Sequence, residues 1–157
     1  MLASELSALF ARDITRLIQE LKAFPDTASV WKTAPGVSNA AGTLALHLEG
    51  NLREYIGRQL GHIDFTRDRP WEFSARGLDR DELIARLETV NVTIPPILER
   101  LSAEQLGERY PENVLGTPVT TRQFLIHLEA HLNYHLGQVD YLRRITTGKG
   151  AIDLAAL

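Results

Sequence analysis

Three of the chain's five histidines stand four residues apart in the segment HLEAHLNYHLGQ, residues 127–138. If this segment is helical, His127, His131 and His135 project from one side of the helix, because positions four apart share a face. Neutral imidazole is a common ligand of transition metals in proteins. The spacing therefore indicates a metal site, a buried hydrogen-bond network or a solvated stripe.

The neighbours of these histidines decide against a solvated stripe. On a wheel of about 100° per residue centred on His131, the surrounding side chains are mainly apolar: Phe124, Leu128, Tyr134, Val139, Leu142 and Ile145. Polar side chains fall on the opposite side: Glu129, Asn133, Asp140 and Arg144. We therefore expect His131 in the middle of the buried face. A buried imidazole needs partners for both ring nitrogens, and one metal ion can serve several imidazoles.

All three histidines of this segment cannot bind the same ion. Eight positions separate His127 from His135, which amounts to about 12 Å along a helix, whereas imidazole nitrogens lie about 2.0–2.1 Å from zinc. One adjacent pair would therefore bind, with a third ligand from another helix. The spacing alone does not choose between the pair 127/131 and the pair 131/135.

The segment TLALHLEGNLREYIG, residues 43–57, offers the third ligand. Its apolar face consists of Leu44, Leu48, Leu52 and Tyr55. His47 lies at the border of that face, and Asn51 and Glu54 continue from it as a polar seam. A single border histidine is typical of an amphipathic surface, but beside a histidine pair it completes a ligand set. His62, in the loop after this helix, is the weaker candidate.

Other kinds of metal and thiol chemistry find no support in the sequence. The metalloprotease pattern His-Glu-x-x-His is absent, because Leu128 and Leu132 follow the first two histidines of the stretch. The chain has no cysteine, which excludes disulfides, a cysteine-based zinc site and a thiol nucleophile of its own. Any thiol in a reaction must therefore come from a cosubstrate.

Length, composition and charge bound the class of protein. With 157 residues, 44% hydrophobic and 24% charged, the chain is predicted to fold as one globular domain, residues 1–157. The net charge is −3 without a basic patch, which disfavours nucleic acid and anionic membranes as partners. No apolar run reaches transmembrane length and the N-terminus does not resemble a signal peptide, so we expect a cytoplasmic protein.

The histidines must be positioned by long helices. A first helix is predicted over residues 4–24, where apolar residues recur at helical spacing until Pro25. A second spans roughly residues 40–60, with Gly61 as its C-terminal stop. No segment alternates convincingly with period two, so strands are not expected.

The second half of the chain predicts two more long helices. Asp79 caps the third, and Pro95 with Pro96 is expected to kink or break it near residue 94. A short turn over residues 102–108 carries its own Ser-x-x-Gln cap. Thr120 caps the last helix, which ends at Gly148. The pattern predicts an all-α protein organised as a four-helix bundle.

At this point the sequence resembles a known group of proteins. LHLEGNLREYIG, HLNYHLGQVDYLRR and TRDRPWEFS are similar to segments of the DinB/YfiT-like superfamily of candidate metalloenzymes, and the likeness covers nearly the whole chain. The resemblance implies an up-down-down-up bundle with a divalent metal, nickel, zinc or iron, bound by three histidines. By motif match the ligands are His47, His131 and His135, and His127 becomes a neighbour of the site.

The resemblance also implies a class of reaction. Relatives include thiol-dependent transferases and isomerases that use bacillithiol, mycothiol or glutathione, and they are often homodimers. The leading hypothesis is a metal-dependent enzyme acting on a small molecule, either a transferase with a low-molecular-weight thiol as cosubstrate or a metal-assisted hydrolase. The alternatives are a non-catalytic metal-binding or stress-response bundle, and a metal-free bundle with a buried histidine network.

Polar residues on the faces of the ligands are candidates for further roles. Glu54 and Tyr134 are the candidate catalytic residues, which would handle protons. The candidates for orienting the ligands are Asn51, His127 and Gln138. All of them are equally compatible with polar edges of a bundle interface. Three charged residues, Arg67, Arg69 and Glu72, could line the mouth of the site, although a solvated charge cluster is the favoured interpretation.

Overall fold

The structure, a computed structural model, describes residues 2–114 and 116–153. Within them it contains these helices: α1 (Leu2–Lys22), α2 (Thr27–Val30), α3 (Ala41–Leu52), α4 (Arg69–Ser74), α5 (Arg80–Glu99), α6 (Ala103–Gly107) and α7 (Thr121–Thr147). A π-helical segment, Arg53–Arg58, continues directly from α3. No helix of the described part is both long and apolar enough to span a lipid bilayer.

Contacts along α1 fix the directions of its two neighbours. Lys22 at the end of α1 pairs with Glu88 in the middle of α5, whereas Ser7 Oγ near the start of α1 donates to the Pro95 carbonyl near the end of α5, so α1 and α5 are antiparallel. Helix α7 runs parallel to α1, because its contacts advance along both helices together. Asn133 contacts Asp13, and residue 143 pairs with residue 20.

Helix α3 lies diagonally opposite α1 and completes the bundle. His47 contacts His131 while Tyr55 stacks edge-on against Phe124, so α3 and α7 are antiparallel. Its other neighbour, α5, runs parallel to it, since residue 49 pairs with residue 86 and residue 57 faces residue 94. The four long helices therefore run up, down, down and up, and the predicted fold is confirmed.

Helix α3 is buried along its whole length. Every residue from Ala41 to Leu52 is buried, because α5, α7 and α4 cover it from different sides. His47 is only 7% exposed, so the polar seam that begins with it lies inside the bundle and not on an amphipathic surface. The covering element, α4, is a short helix that was not predicted from the sequence.

The end of this second long helix also differs from the prediction. The residue in the left-handed region is His62, with φ of 53°, rather than Gly61. Gly61 is required for another reason, because a Cβ there would overlap the Ile97 side chain. His62 is exposed in the turn and does not join the other histidines.

The proline pair does not break α5. Pro95 and Pro96 have no amide to donate to the preceding turn, and a proline inside a helix costs about 3 kcal/mol. Tertiary contacts offset this cost: Ile94 and Leu98 are fully buried, and Ser7 Oγ donates to the Pro95 carbonyl at 2.9 Å. The helix does not break near residue 94 because packing overrides the local preference, and the alternative, a kink there, stays a prediction.

Helix α7 begins and ends where the sequence predicted. Thr120 and Gln123 form a reciprocal capping box, and Gly148 has φ of 69° as the C-terminal stop. Its buried face is rotated from the predicted one, because α7 packs against both α1 and α3. The buried residues include Leu125, Leu128, Glu129, Leu132, Leu136, Val139 and Arg143. His131 therefore lies at one edge of the buried face and not in its middle.

Candidate metal centre

The three histidines named as candidate ligands meet between α3 and α7. His47 Nε2 lies 3.2 Å from His131 Nε2, which lies 3.1 Å from His135 Nε2. One nitrogen from each of the three rings lies within 4.8 Å of the other two. The rings at 131 and 135 are perpendicular, with their centres 4.5 Å apart. The fold thus brings together residues 84 positions apart in the chain.

Hydrogen bonds at Nδ1 determine which nitrogen of two rings is free. His135 Nδ1 lies 2.7 Å from Gln138 Oε1, and His47 Nδ1 lies 3.1 Å from Glu72 Oε2. An amide oxygen and a carboxylate only accept hydrogen bonds, so each Nδ1 carries the proton. The Nε2 atom of each ring then presents a lone pair toward His131.

The separation of the three nitrogens suits one ion. Two lone pairs that face each other at 3.1–3.2 Å repel unless a positive charge lies between them. A proton on His131 Nε2 can serve only one neighbour well. An ion held at about 2.0–2.1 Å by nitrogens at tetrahedral angles sets them about 3.3–3.4 Å apart. The donor set therefore fits a divalent ion better than a closed hydrogen-bond network.

Burial keeps the imidazoles neutral. Desolvation, followed by the neighbouring imidazoles, lowers the pKa of His131 to about 4. Desolvation also lowers the pKa of His135, although the bond to Gln138 acts in the opposite direction. Both rings are unprotonated near neutral pH, which is the state in which imidazole binds metals.

A cleft of about 210 Å³ opens on one side of the centre. Its walls include His47, His131, Asn51 and Arg67. Asn51 Oδ1 and His131 Nδ1 are buried, and neither has a hydrogen-bond partner among the described residues. The cleft therefore has room for a small molecule beside the three imidazoles, and two residues of its wall each bury a polar atom without a partner in the described part of the chain.

A larger cavity, of about 380 Å³, lies elsewhere on α7. It is lined by residues 36–39, Leu44 and Tyr141, and its wall also includes Gln138. None of the three histidines lines it. We therefore assign the chemistry to the smaller cleft, which contains the ring nitrogens.

The residues predicted to orient the ligands have different surroundings. Gln138 contacts His135 directly, whereas Asn51 lines the cleft and its side-chain oxygen has no hydrogen-bond partner among the described residues. His127 is exposed, and its ring lies parallel to that of His131 at 6.4 Å and to that of Phe124 at 5.9 Å. His127 does not converge with the other three rings.

The two predicted catalytic residues have different surroundings. The Glu54 carboxylate is held by Arg58 and Gln59, and the bond from Arg58 lowers its pKa. Tyr134 is 66% exposed and its ring centre is 5.3 Å from that of His135. Catalytic roles for Glu54 and Tyr134 stay predictions.

Glu72 is the residue that sequence reasoning placed wrongly. It is 3% exposed, not part of a solvated cluster, and Arg67 binds both of its oxygens, Nε to Oε1 at 2.7 Å and Nη2 to Oε2 at 2.9 Å. Burial raises the pKa of Glu72, but the bonds from His47 and Arg67 outweigh it, so the net pKa is lowered. Glu72 is therefore ionised at neutral pH.

One signal in the sequence could have pointed to Glu72. Gly50 stands in the middle of a helix, where glycine is destabilising unless a neighbour must approach closely. A Cβ on Gly50 would overlap Glu72 Oε1 and lie 2.8 Å from Glu72 Cδ. The glycine in LHLEGNL thus marks the place where α4 docks onto α3.

Comparison with known proteins agrees with this class of histidine-centred helical bundle. Residues 5–148 match the family model of the mycothiol-S-transferases. The chain belongs to this family, which is part of the DinB/YfiT-like superfamily. The family indicates a thiol-related transferase with a small-molecule substrate. No curated protein matches the chain.

Two solved structures share the fold. A conserved protein from Enterococcus faecalis is similar with a TM-score of 0.75 and 20% identity, over 92% of this chain and 96% of the other. A DinB-like protein from Bacillus cereus ATCC 10987 has a TM-score of 0.67 and 17% identity, over 89% of both chains. At such identities the likeness concerns the fold alone.

Proposed function

We propose that the protein is a divalent-metal-dependent transferase that joins a low-molecular-weight thiol to an electrophilic small molecule. The observation that carries the proposal is the convergence of the Nε2 atoms of His47, His131 and His135 beside an open cleft. The family supplies the reaction class, and its name suggests mycothiol as the thiol. Nickel, zinc and iron all accept imidazole ligands.

The protein's own groups suit this reaction. A divalent ion in such a site supplies Lewis acidity, which lowers the pKa of a thiol bound to it. Three neutral imidazoles add no negative charge, so the site attracts a thiolate more strongly than a carboxylate-rich site would. Because the chain has no cysteine, the sulfur must come from the cosubstrate.

The chemical step is a nucleophilic substitution at carbon. The thiolate sulfur forms a bond to the electrophilic carbon, and the bond to the leaving group breaks with its electron pair on that group. The thiol proton is released before attack, either to solvent or to a protein group. We propose Glu54 as the protein acceptor, a weak base because Arg58 lowers its pKa, and Tyr134, whose hydroxyl already carries a proton, as a hydrogen-bond donor to the leaving group.

Metal binding and turnover test the proposal together. Protein prepared without a histidine tag would be stripped of metal, titrated with nickel, zinc or iron(II), and assayed with mycothiol or glutathione and 1-chloro-2,4-dinitrobenzene. We expect near-stoichiometric binding and metal-dependent formation of the thioether. His135→Ala should lose both properties, whereas His127→Ala should keep the metal because His127 is not one of the three converging histidines.

The outcomes separate the alternatives. Metal binding without turnover across a panel of thiols and electrophiles would favour a non-catalytic metal-binding bundle. Failure to bind any of the three ions would turn the imidazoles into a buried hydrogen-bond network and overturn the proposal. If His127→Ala lost the metal and His135→Ala kept it, the other histidine pair would hold the ion.

A further inference from the structure

We infer that Glu72 is a positioning residue of the metal centre. Its carboxylate holds the proton of His47 on Nδ1, so that Nε2 faces the shared centre, and Gly50 and Arg67 bring the carboxylate there. The inference rests on the proposed function, since it concerns the same three imidazoles. It adds a fourth element, α4, to a site otherwise built from α3 and α7.

The hydrogen bond at Nδ1 decides whether His47 can be a ligand. A neutral imidazole has one N–H and one lone pair, and free imidazole side chains favour the proton on Nε2. That tautomer would direct an N–H toward His131 and block metal binding. The Glu72 carboxylate accepts the hydrogen bond from Nδ1 at 3.1 Å and therefore stabilises the opposite tautomer.

Glu72 can approach α3 because Gly50, in the turn of α3 that also contains His47, has no side chain. Asp68 caps α4 by accepting from the Trp71 amide at 3.0 Å, which sets the direction of this short helix. The helix then directs Glu72 across α3 at Gly50, where any Cβ would overlap the carboxylate. Gly50 and His47 lie three positions apart, so the opening at Gly50 is next to the ring on the same side of the helix.

Arg67 makes the buried carboxylate tolerable and fixes its orientation. A single buried charge is costly, whereas a two-bond pair with a guanidinium compensates the charge and selects one geometry. Arg67 Nη2 also lies 3.3 Å from His47 Nδ1, but its shorter bond, at 2.9 Å, goes to Glu72 Oε2. The carboxylate is therefore left as the acceptor for the imidazole proton.

The chain contains a matched control in Glu49. Its carboxylate is also buried, at 4% exposure, and it lies on α3 two positions from His47. It pairs with Arg53 at 2.8 Å and with Arg86 at 3.3 Å, and it has no contact with a histidine. Replacing it removes a comparable buried ion pair without touching an imidazole.

The test compares Glu72→Leu with Glu49→Leu in two measurements. Nitrogen-15 NMR of the metal-free protein reads the tautomer of His47, and a competing chelator reads the affinity for zinc. We expect Glu72→Leu to move the His47 proton to Nε2 and to weaken zinc binding about 10–100-fold. Glu72→Gln, which keeps an acceptor oxygen, should fall between parent and Glu72→Leu. Glu49→Leu should leave both readings unchanged.

Gly50→Ala gives a second route to the same result. It keeps every functional group but displaces the carboxylate, so it should show the same tautomer change and a similar loss of affinity. The inference is overturned if Glu72→Leu keeps the Nδ1 proton and its zinc affinity, or if Glu49→Leu has an equal effect. The tautomer is read without metal, so a parent protein that binds no ion overturns the proposed function even where the Glu72 hydrogen bond is confirmed.

Discussion

Helix α7 places polar side chains against α1 on one side and against α3 on the other. The hydrogen-bond partners of these side chains differ between the two sides. Toward α1, opposite charges and amides close on one another: Asn133 Nδ2 donates to Asp13 at 2.7 Å and to Glu129 at 2.8 Å, and Arg143 pairs with Glu20. Each of these side chains has at least one partner inside the protein, although one oxygen of Glu20 and one of Glu129 have none among the described residues. This side is organised as a structural network.

Toward α3 the same helix presents like groups to one another. His131 and His135 direct Nε2 atoms toward His47 Nε2, and all three are acceptors when their other nitrogens hold the protons. Their outward nitrogens are partly satisfied, by Gln138 and Glu72, whereas the inward ones face one another at a separation that a shared cation would fit. The difference teaches that convergence of unsatisfied lone pairs, more than burial of polar groups, marks a binding site.

The largest expected effect is on bound metal, which should depend on the histidines on the α3-facing side of α7. His131→Ala removes the ring whose Nε2 contacts both other Nε2 atoms, so bound metal should fall from near one per chain to near zero. His62→Ala, which replaces an exposed histidine outside the centre, should keep the metal. Elemental analysis after gel filtration checks this. Retention of stoichiometric metal by His131→Ala would show that the cluster of His47, His131 and His135 is not the metal-binding site.

Breaking the structural side should change stability and not metal binding. Arg143→Met leaves the buried Glu20 carboxylate without its partner, which costs about 3–5 kcal/mol in the free energy of unfolding. Urea unfolding of the metal-free protein measures this. In the double variant with Glu20→Leu the loss should be smaller, because no charge is left unpaired. A fall in zinc affinity of the folded Arg143→Met protein would contradict the independence of the two sides.

The structural side should also carry a pH dependence of stability. Burial and the neighbouring Asp13 raise the pKa of Glu129 to about 8. The folded protein then keeps a proton that the unfolded chain releases above about pH 4.3. This contribution to stability is complete at acidic pH and is lost as the pH rises through about 8.

Replacement of Glu129 by glutamine isolates this contribution. Glu129→Gln stays neutral, so its free energy of unfolding relative to the parent should rise by at least about 1.4 kcal/mol between pH 6 and pH 9, which corresponds to one pKa unit. Urea unfolding of metal-free protein at both pH values checks it. The pKa of Asp13, lowered to about 2, acts only in more acidic solution. An equal pH dependence in parent and variant would exclude a raised pKa at Glu129.

The smallest expected effect concerns a glycine beside the histidines. A Cβ on Gly137 meets nothing within 4 Å, in contrast to Gly50. Gly137→Ala should therefore raise the free energy of unfolding by about 0.5–1 kcal/mol through helix preference alone. Thermal unfolding and a zinc competition assay measure the two properties. A loss of zinc affinity would mean that the three-histidine cluster requires glycine at position 137.

Local signals allowed much of the fold to be predicted from the sequence. The capping box of Thr120 and Gln123, the stop at Gly148 and the capped turn at Ser102 are all present, because each depends on residues within a few positions. The bundle and its superfamily are confirmed as well. The imidazoles of His47, His131 and His135 come together as the motif match implied.

The features that the sequence did not reveal depend on packing between distant segments. The burial of Glu72 requires α4 to dock onto α3, the intact α5 requires core contacts around its prolines, and the rotation of the buried face of α7 requires two partner helices. No short-range pattern contains this information. The identity of the metal, the thiol, the single domain, the cytoplasmic location and the homodimer stay predictions.

The π-helical segment Arg53–Arg58 has a consequence for how α3 tolerates changes in length. A π turn accommodates one more residue than an α turn, so it resets the angular register between the part of the helix before it and the part after it. His47 faces α7 before this segment, and Gly57 and Gly61 face α5 at its end and beyond. A single-residue deletion here can be absorbed by converting the π turn to an α turn. The imidazole of His47 would keep its place.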